Sequence, residues 1–344
     1  MMNMSRFPYN DSLSNNHNSS ECNSSQTNRT IYYNSQADNL VDVCSGTMFD
    51  CGRPVWEEIY DVMNVVSIAI NIIHLSVLNE LQSGTARGHI SSYHKLLKQL
   101  AGVDIAYAIA SCMKMCVFRR LLIGSEKIWG ALVSGLTDWP SPVRYYTLAL
   151  ACYDRCVAIR WPLHHSSNRL ILNVNTAHVV LWLIALLLTG VREYIFRDSV
   201  CIDGISGATT YFGSFTAATV YYCTLTPATI IIIVCMFISL AELKKMISTP
   251  ITQVPQAQRE VQRATVFTVA NSILFLFCLF PGIIGSFQYA LKIDVDFSVA
   301  YLGYALYLAY GIMNTLLYGW INKKYRATIV KMFCPKCQSR IDQY

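Results

Sequence analysis

Seven long apolar stretches alternate with short polar ones along this chain, at approximately 56–78, 93–116, 127–156, 174–194, 211–241, 262–289 and 297–321. Each reaches the roughly 20 residues that a helix needs to cross the hydrocarbon of a bilayer. Backbone N–H and C=O groups in lipid must be satisfied within the protein, and a helix does so inside a single segment. The pattern therefore predicts an all-α fold, a bundle of seven transmembrane helices over 56–321. The flanks differ sharply from it. Residues 1–55 are rich in Asn and Ser and open on Met-Met-Asn-Met-Ser-Arg, which lacks the apolar core of a cleavable signal peptide. Such a composition cannot bury a core, so a disordered tail is predicted there. Residues 322–344 begin Asn-Lys-Lys-Tyr-Arg and continue with interleaved apolar positions, the pattern of a short amphipathic eighth helix and a tail.

Of the 344 positions 53% are hydrophobic and only 14% charged, against about 25% charge in an ordinary soluble chain. That deficit argues against a globular enzyme, and no Gly-rich phosphate loop, zinc-spaced His/Cys set or nucleophile elbow is visible. No catalytic chemistry, cofactor or metal is expected. The net charge of +6 comes from basic residues at the ends of apolar stretches, where anionic lipid is a simpler partner than nucleic acid. Loops facing the cytoplasm carry the excess of Lys and Arg, so these residues also set an orientation. With the N-terminus outside, Arg87, Lys95, Lys98, Arg155, Arg160, Arg169, Lys244, Lys245, Arg259, Arg263 and the basic C-terminal tail fall inside. Arg119, Arg120, Lys127, Arg192, Arg197 and Lys292 fall outside, so the excess is cytoplasmic. Glycosylation sequons agree: they occur at Asn3, Asn10, Asn18, Asn23 and Asn28 and nowhere later. The expectation is a multi-pass plasma-membrane protein with a glycosylated outer tail. Its 13 cysteines are too scattered for a disulfide scaffold. Cys334-Pro-Lys-Cys337 has the spacing of half a zinc site, but after a basic amphipathic segment it reads better as a palmitoylated pair.

Polar residues inside the apolar stretches carry the candidate chemistry, because charge is costly in hydrocarbon and cheap at its edge. Asn71, Asp104, Lys114 and Asn314 interrupt the first, second and seventh stretches, and the third contains Asp138-Trp-Pro-Ser-Pro-Val-Arg144. These groups should face one another across the bundle. The plain reading of Asn71 is interhelical hydrogen bonding worth about 0.6 kcal/mol. The third stretch ends in Leu148-Ala-Leu-Ala-Cys-Tyr-Asp-Arg-Cys-Val-Ala-Ile-Arg-Trp-Pro-Leu-His-His165, which sets Asp154 beside Arg155 and Arg160 just before Pro162. Taken alone, Arg155 can simply snorkel to headgroups with Asp154 as a neutralising neighbour.

Asn71, Leu100-Ala101-x-x-Asp104, Asp154-Arg155, Trp182, Pro227, Cys278-x-x-Pro281 and Asn314-x-x-x-Tyr318 fall in the order and approximate spacing of rhodopsin-like (class A) G-protein-coupled receptors, over residues 56–333. The end of the third stretch and the Leu-Tyr-Gly close of the seventh resemble most the odorant-receptor branch, of the divergent kind found in fishes and other aquatic chordates. The resemblance implies a receptor that binds a small molecule in the outer half of its bundle and activates a heterotrimeric G protein. It implies roles in coupling and activation for Asn71, Asp104, Asp154, Arg155, Pro281, Asn314 and Tyr318. Three departures stand out. Thr315 follows Asn314 where the family has Pro, Leu279 holds the aromatic position of helix six, and Gly130 lies near the place of the outer cysteine of helix three. Cys201 of the second outer loop then needs another disulfide partner, for which Cys44, Cys51, Cys112 and Cys116 are candidates.

On helix three, Asp138, Ser141, Pro142 and Tyr145 recur at helical spacing. With Lys114, Tyr221 and Tyr222 they predict a pocket polar enough for a water-borne ligand such as an amino acid, an amine or a small acid. Asp138 and Lys114 pairing with each other is the plainer alternative. Arg144 lies ten residues before Asp154, about 15 Å nearer the outside at 1.5 Å per residue. The resemblance puts Asp104 at a similar depth, where many rhodopsin-like receptors hold a sodium ion, so a buried Asp104–Arg144 pair is predicted in its place. Pairing of Arg144 with Asp138, about 120° away around the same helix, is the alternative. Two other functions stay open. One is a small-solute transporter or channel lined by Asp104, Lys114, Asp138 and Arg144, although no internal repeat of the kind common in transporters is found. The other is a degenerate receptor that reaches the membrane without signalling, because of Thr315 and Gly130.

Overall fold

Each predicted apolar stretch contains a helix in the computed structural model, which describes residues 53–83, 92–121, 135–136, 138–161, 174–196, 201–202, 209–210, 215–247, 256–290 and 297–333. The sequons at Asn3, Asn10, Asn18, Asn23 and Asn28, together with Cys44, Cys51, Gly130, Cys334 and Cys337, lie outside the described residues, as do the side chains of Lys114, Cys116, Cys201 and Tyr221. The helices are α1 (Arg53–Ser83), α2 (Ser92–Leu121), α3 (Pro140–Arg160), α4 (Val174–Phe196), α5 (Phe215–Ile247), α6 (Gln256–Ala290), α7 (Phe297–Ile321) and α8 (Lys323–Phe333). Between α4 and α5 a two-residue antiparallel ladder pairs β1 (Cys201–Ile202) with β2 (Thr209–Thr210). The described chain is otherwise helical.

Helix ends depart from the apolar stretches for identifiable reasons. α5 runs on to Ile247 and α6 starts at Gln256, each beyond its apolar stretch. Good helix formers in Leu-Ala-Glu-Leu-Lys-Lys-Met keep α5 going past the apolar edge, and Lys244 and Lys245 suit the negative end of the helix dipole. α4 reaches Phe196, so Arg192 belongs to the helix and is buried, not a loop charge as its place at the end of the apolar stretch had implied. The prolines of α3 were expected inside the helix. Pro140 stands at its first position, where a missing N–H costs nothing. Trp139 just before it has helical dihedrals (φ −61°, ψ −48°) and its N–H reaches the Gly135 carbonyl at 2.9 Å. The helical path thus continues back through the prolines, and only the hydrogen-bond ladder is interrupted.

Consecutive helices run in opposite senses. The ends of α1 and α7 meet the starts of α2 and α6 in one cluster of Val77, Leu78, Tyr93, Phe267 and Tyr318. Ile159 near the end of α3 packs with Leu243 near the end of α5 and Val269 of α6, while Val174 at the start of α4 meets Leu96 and Ala151. α3 is central, with α2, α4, α5 and α6 as neighbours, and α7 closes the ring onto α1. Its core position explains its composition: Arg144, Asp154 and Arg155 are all buried in protein.

The bundle exposes large apolar side chains and buries polar ones among its apolar core. Val62, Leu183, Leu187, Phe237, Phe277, Leu316 and Trp320 are exposed, Trp320 to 78%. Asn64, Asn71, Asp104, Arg144, Asn271, Ser272 and Asn314 are buried. A water-soluble protein rarely exposes contiguous apolar surface on this scale. Among the described residues five helices are long and apolar enough to cross a membrane, within Glu58–Gln82, Tyr93–Met113, Val174–Ile195, Tyr222–Met246 and Val261–Pro281. α3 and α7 are not among them, the first because of its charges and the second because of Tyr304, Tyr307, Tyr310, Asn314 and Tyr318. This is a helical protein of the membrane-embedded kind.

α8 leaves α7 through Asn322, whose side-chain Nδ2 donates to Tyr318 Oη at 2.8 Å and whose Oδ1 accepts the Tyr325 N–H at 3.2 Å. Tyr325 anchors the helix, being 2% exposed with its hydroxyl 2.8 Å from His74 Nδ1 of α1. Burial, and then the neighbouring Tyr318, hold its phenol above the ordinary tyrosine range, so it stays protonated.

Candidate functional site

Helical spacing builds the first centre. Asp104 and Tyr107, three apart on α2, share a face, as do Tyr307, Tyr310, Asn314 and Tyr318, spaced by three and four on α7. Arg144 of α3 enters between these faces, 1% exposed, with Nε 2.7 Å from Asp104 Oδ1. Nε–H is not aligned on the carboxylate, so the contact is an ion pair rather than a bidentate fork. Arg144 Nη1 donates to the Tyr307 carbonyl at 3.1 Å, and its guanidinium carbon lies 4.6 Å from the ring centroids of both Tyr107 and Tyr307. Tyr310 stands a little farther off, at 5.6 Å. Charge, hydrogen bond and aromatic faces together replace the water that Arg144 has lost.

Beside this centre, Asn71 Nδ2 donates to the Ser67 carbonyl at 2.9 Å and reaches Gly311 O at 3.5 Å. Thr315, which stands where the resembled family has Pro, donates to Asn71 Oδ1 at 3.2 Å. Asn271 of α6 donates to Tyr310 Oη at 3.0 Å, so α1, α2, α3, α6 and α7 all touch one polar layer. Asn314 is buried in it, 2% exposed.

The second centre lies toward the end of α3. Arg155 donates to Asp154 Oδ2 from Nε at 2.9 Å and again from Nη2. Both residues are buried, and the guanidinium carbon lies 4.5 Å from the ring centroid of Tyr93 on α2. Pro281 lies farther along α6, within the helix.

Among the described side chains, the candidate pocket residues of helix three each meet a different partner. Asp138 binds Arg192 of α4, which also donates to Glu193 at 2.7 Å. Ser141 Oγ lies 2.7 Å from Tyr307 Oη, Tyr145 packs edge-on against Phe275 at 4.8 Å, and Pro142 is buried. Three partners on α4, α7 and α6 thus draw residues of one helical face in different directions. Asp138 pairs with Arg192 while Arg144 pairs with Asp104, and a pairing of Asp138 with Lys114 lies outside the described side chains. Tyr222 of α5 is half-buried. At the same end, Asn64 Nδ2 donates to Ser111 Oγ at 3.0 Å, and Ser111 lies 2.9 Å from Tyr304 Oη.

Sequence reasoning passed over Tyr93, Tyr107, Tyr307, Tyr310 and Glu193, and took Arg192 only as an outside charge. The tyrosine stripe on α7 was readable from its spacing, whereas the role of Tyr93 has no local signal. Among the described residues no group of three or more His, Cys, Asp or Glu is arranged to hold a metal ion. No protein-family model matches the chain, and no curated protein matches it either.

Proposed function

We propose that this chain is a chemosensory membrane receptor of the rhodopsin-like kind. Its N-terminus lies outside and seven helices cross the plasma membrane. A small water-borne ligand enters the half of the bundle holding Asp138, and a heterotrimeric G protein engages the end holding Arg155. The observation that carries this reading is the state of Arg155. A guanidinium at the end of the central helix is buried, clamped by the adjacent carboxylate and stacked on a tyrosine. A residue that merely reached for headgroups would point outward. Held this way, Arg155 is a latent donor, released when the surrounding helices part and free to meet a partner's carbonyls.

Ligand binding shifts such a two-state bundle only by its differential affinity for the two states. The polar groups at the Asp138 end, with Asp138 itself a quarter exposed, support a polar ligand over an oily one. The transporter reading loses its main support, since Asp104 and Arg144 are consumed by each other and Asp138 by Arg192.

The test is expression in cells with a cyclic-AMP readout, screening amino acids, amines and small acids. Asp154→Asn is expected to raise basal signalling. Arg155→Ala is expected to abolish it at equal surface expression. Normal signalling from Arg155→Ala, or ligand-evoked solute flux that ignores G-protein blockade, overturns the reading.

A further inference from the structure

We propose that Tyr93 is a latch that ties the start of α6 to Arg155 in the resting bundle. The proposal rests on the receptor reading above and names the contact that holds helix six closed. Tyr93, near the start of α2, is 3% exposed and has two working surfaces. Its face carries Arg155, whose guanidinium carbon is 4.5 Å from the ring centroid. Its hydroxyl lies 3.1 Å from Thr268 Oγ1 and 3.4 Å from the Ala264 carbonyl oxygen, both on α6. Thr268 Oγ1 itself reaches the same carbonyl at 2.9 Å, so two hydroxyl protons serve three contacts. Phe267, between them on α6, meets Tyr93 edge-on at 6.5 Å and Tyr318 of α7 at 5.0 Å.

One side chain from α2 therefore joins the α3 cation to the α6 backbone. α6 cannot leave α3 without either stripping the hydroxyl of its partners or dragging the ring from the guanidinium. Unmet polar groups are costly away from water, so the closed arrangement is favoured until a ligand outweighs it. Arg155 is thereby held twice, by Asp154 in its own helix and by a ring whose position depends on α6. Tyr93 is a positioning residue, acting through Arg155.

Tyr93→Phe keeps the ring and removes the hydroxyl, and Thr268→Val removes the other hydroxyl at equal size. Thr265→Val is the control, because Thr265 donates only to Val261 of its own helix, at 2.8 Å. The full chain is reconstituted in lipid nanodiscs with genetically encoded spin labels at the exposed positions 161 and 263. Distances between the ends of α3 and α6 are measured alongside basal nucleotide exchange on a G protein. Losing one such hydrogen bond is expected to raise the open population about fivefold. Tyr93→Phe and Thr268→Val should each add a longer distance, the double variant should add little to either, and Thr265→Val should change nothing. Unchanged distances in both single variants overturn the latch, even if the unmodified chain couples normally. Opened distances with no exchange on any G protein uphold the latch and remove the receptor reading instead.

Discussion

A guanidinium in the middle of a bundle whose outer surface is apolar has few routes to neutralisation, and Arg144 takes several at once. Asp104 supplies the charge, the Tyr307 carbonyl accepts a hydrogen bond, and Tyr107 and Tyr307 present ring faces at 4.6 Å. Removing one partner of a buried pair strands the other, at a typical cost of about 3–5 kcal/mol. Arg144→Ala or Asp104→Ala alone is therefore expected to cut surface expression severely, and the double variant to recover part of it, as cell-surface labelling would register. Additive losses in the double variant would refute the coupling. A positive charge fixed beside Asp104 also makes an added cation redundant. Replacing sodium by choline should leave ligand affinity unchanged, and a several-fold shift would contradict this.

Helices approach this polar layer only where side chains allow it. A Cβ built at Gly311 of α7 would lie 3.2 Å from Asp104 Cγ and 3.2 Å from Ser67 Oγ, too close without movement. Asp104 is pinned by Arg144 and cannot retreat freely. Gly311→Ala should lower the melting temperature of the purified protein, with a destabilisation of about 1–3 kcal/mol from overpacking. Gly102 of α2 makes the contrast, since a Cβ built there would meet nothing within 4 Å. Gly102→Ala should stabilise by about 0.5–1 kcal/mol through helix propensity alone. Equal effects of the two alanines would remove close packing as the reason for Gly311.

The proposed seven-span topology, with a basic amphipathic helix after the last span, can be tested on intact cells. A tag before Met1 should be labelled from outside, and one after Tyr344 only after permeabilisation. A mobility shift with glycosidase should vanish when the five sequon asparagines of the tail are changed to Gln. The opposite labelling would reverse the orientation argued from charge. Much of the helical fold was legible in the chain itself. Apolar length set the number and rough bounds of the helices, because a helix is the local solution for a backbone without water. The cost of mid-helix charge called for a partner to Arg144, and it was the family resemblance that pointed to Asp104. Local pattern did not reach the choice among partners. Asp138, Ser141 and Tyr145 share a helical face, yet turn to Arg192, Tyr307 and Phe275, because only packing decides which neighbour stands within reach. Tyr93 shows the same limit. Nothing in Ser-Tyr-His-Lys marks a tyrosine that bridges α3 and α6; three distant segments of chain had to meet before its ring and hydroxyl had anything to hold.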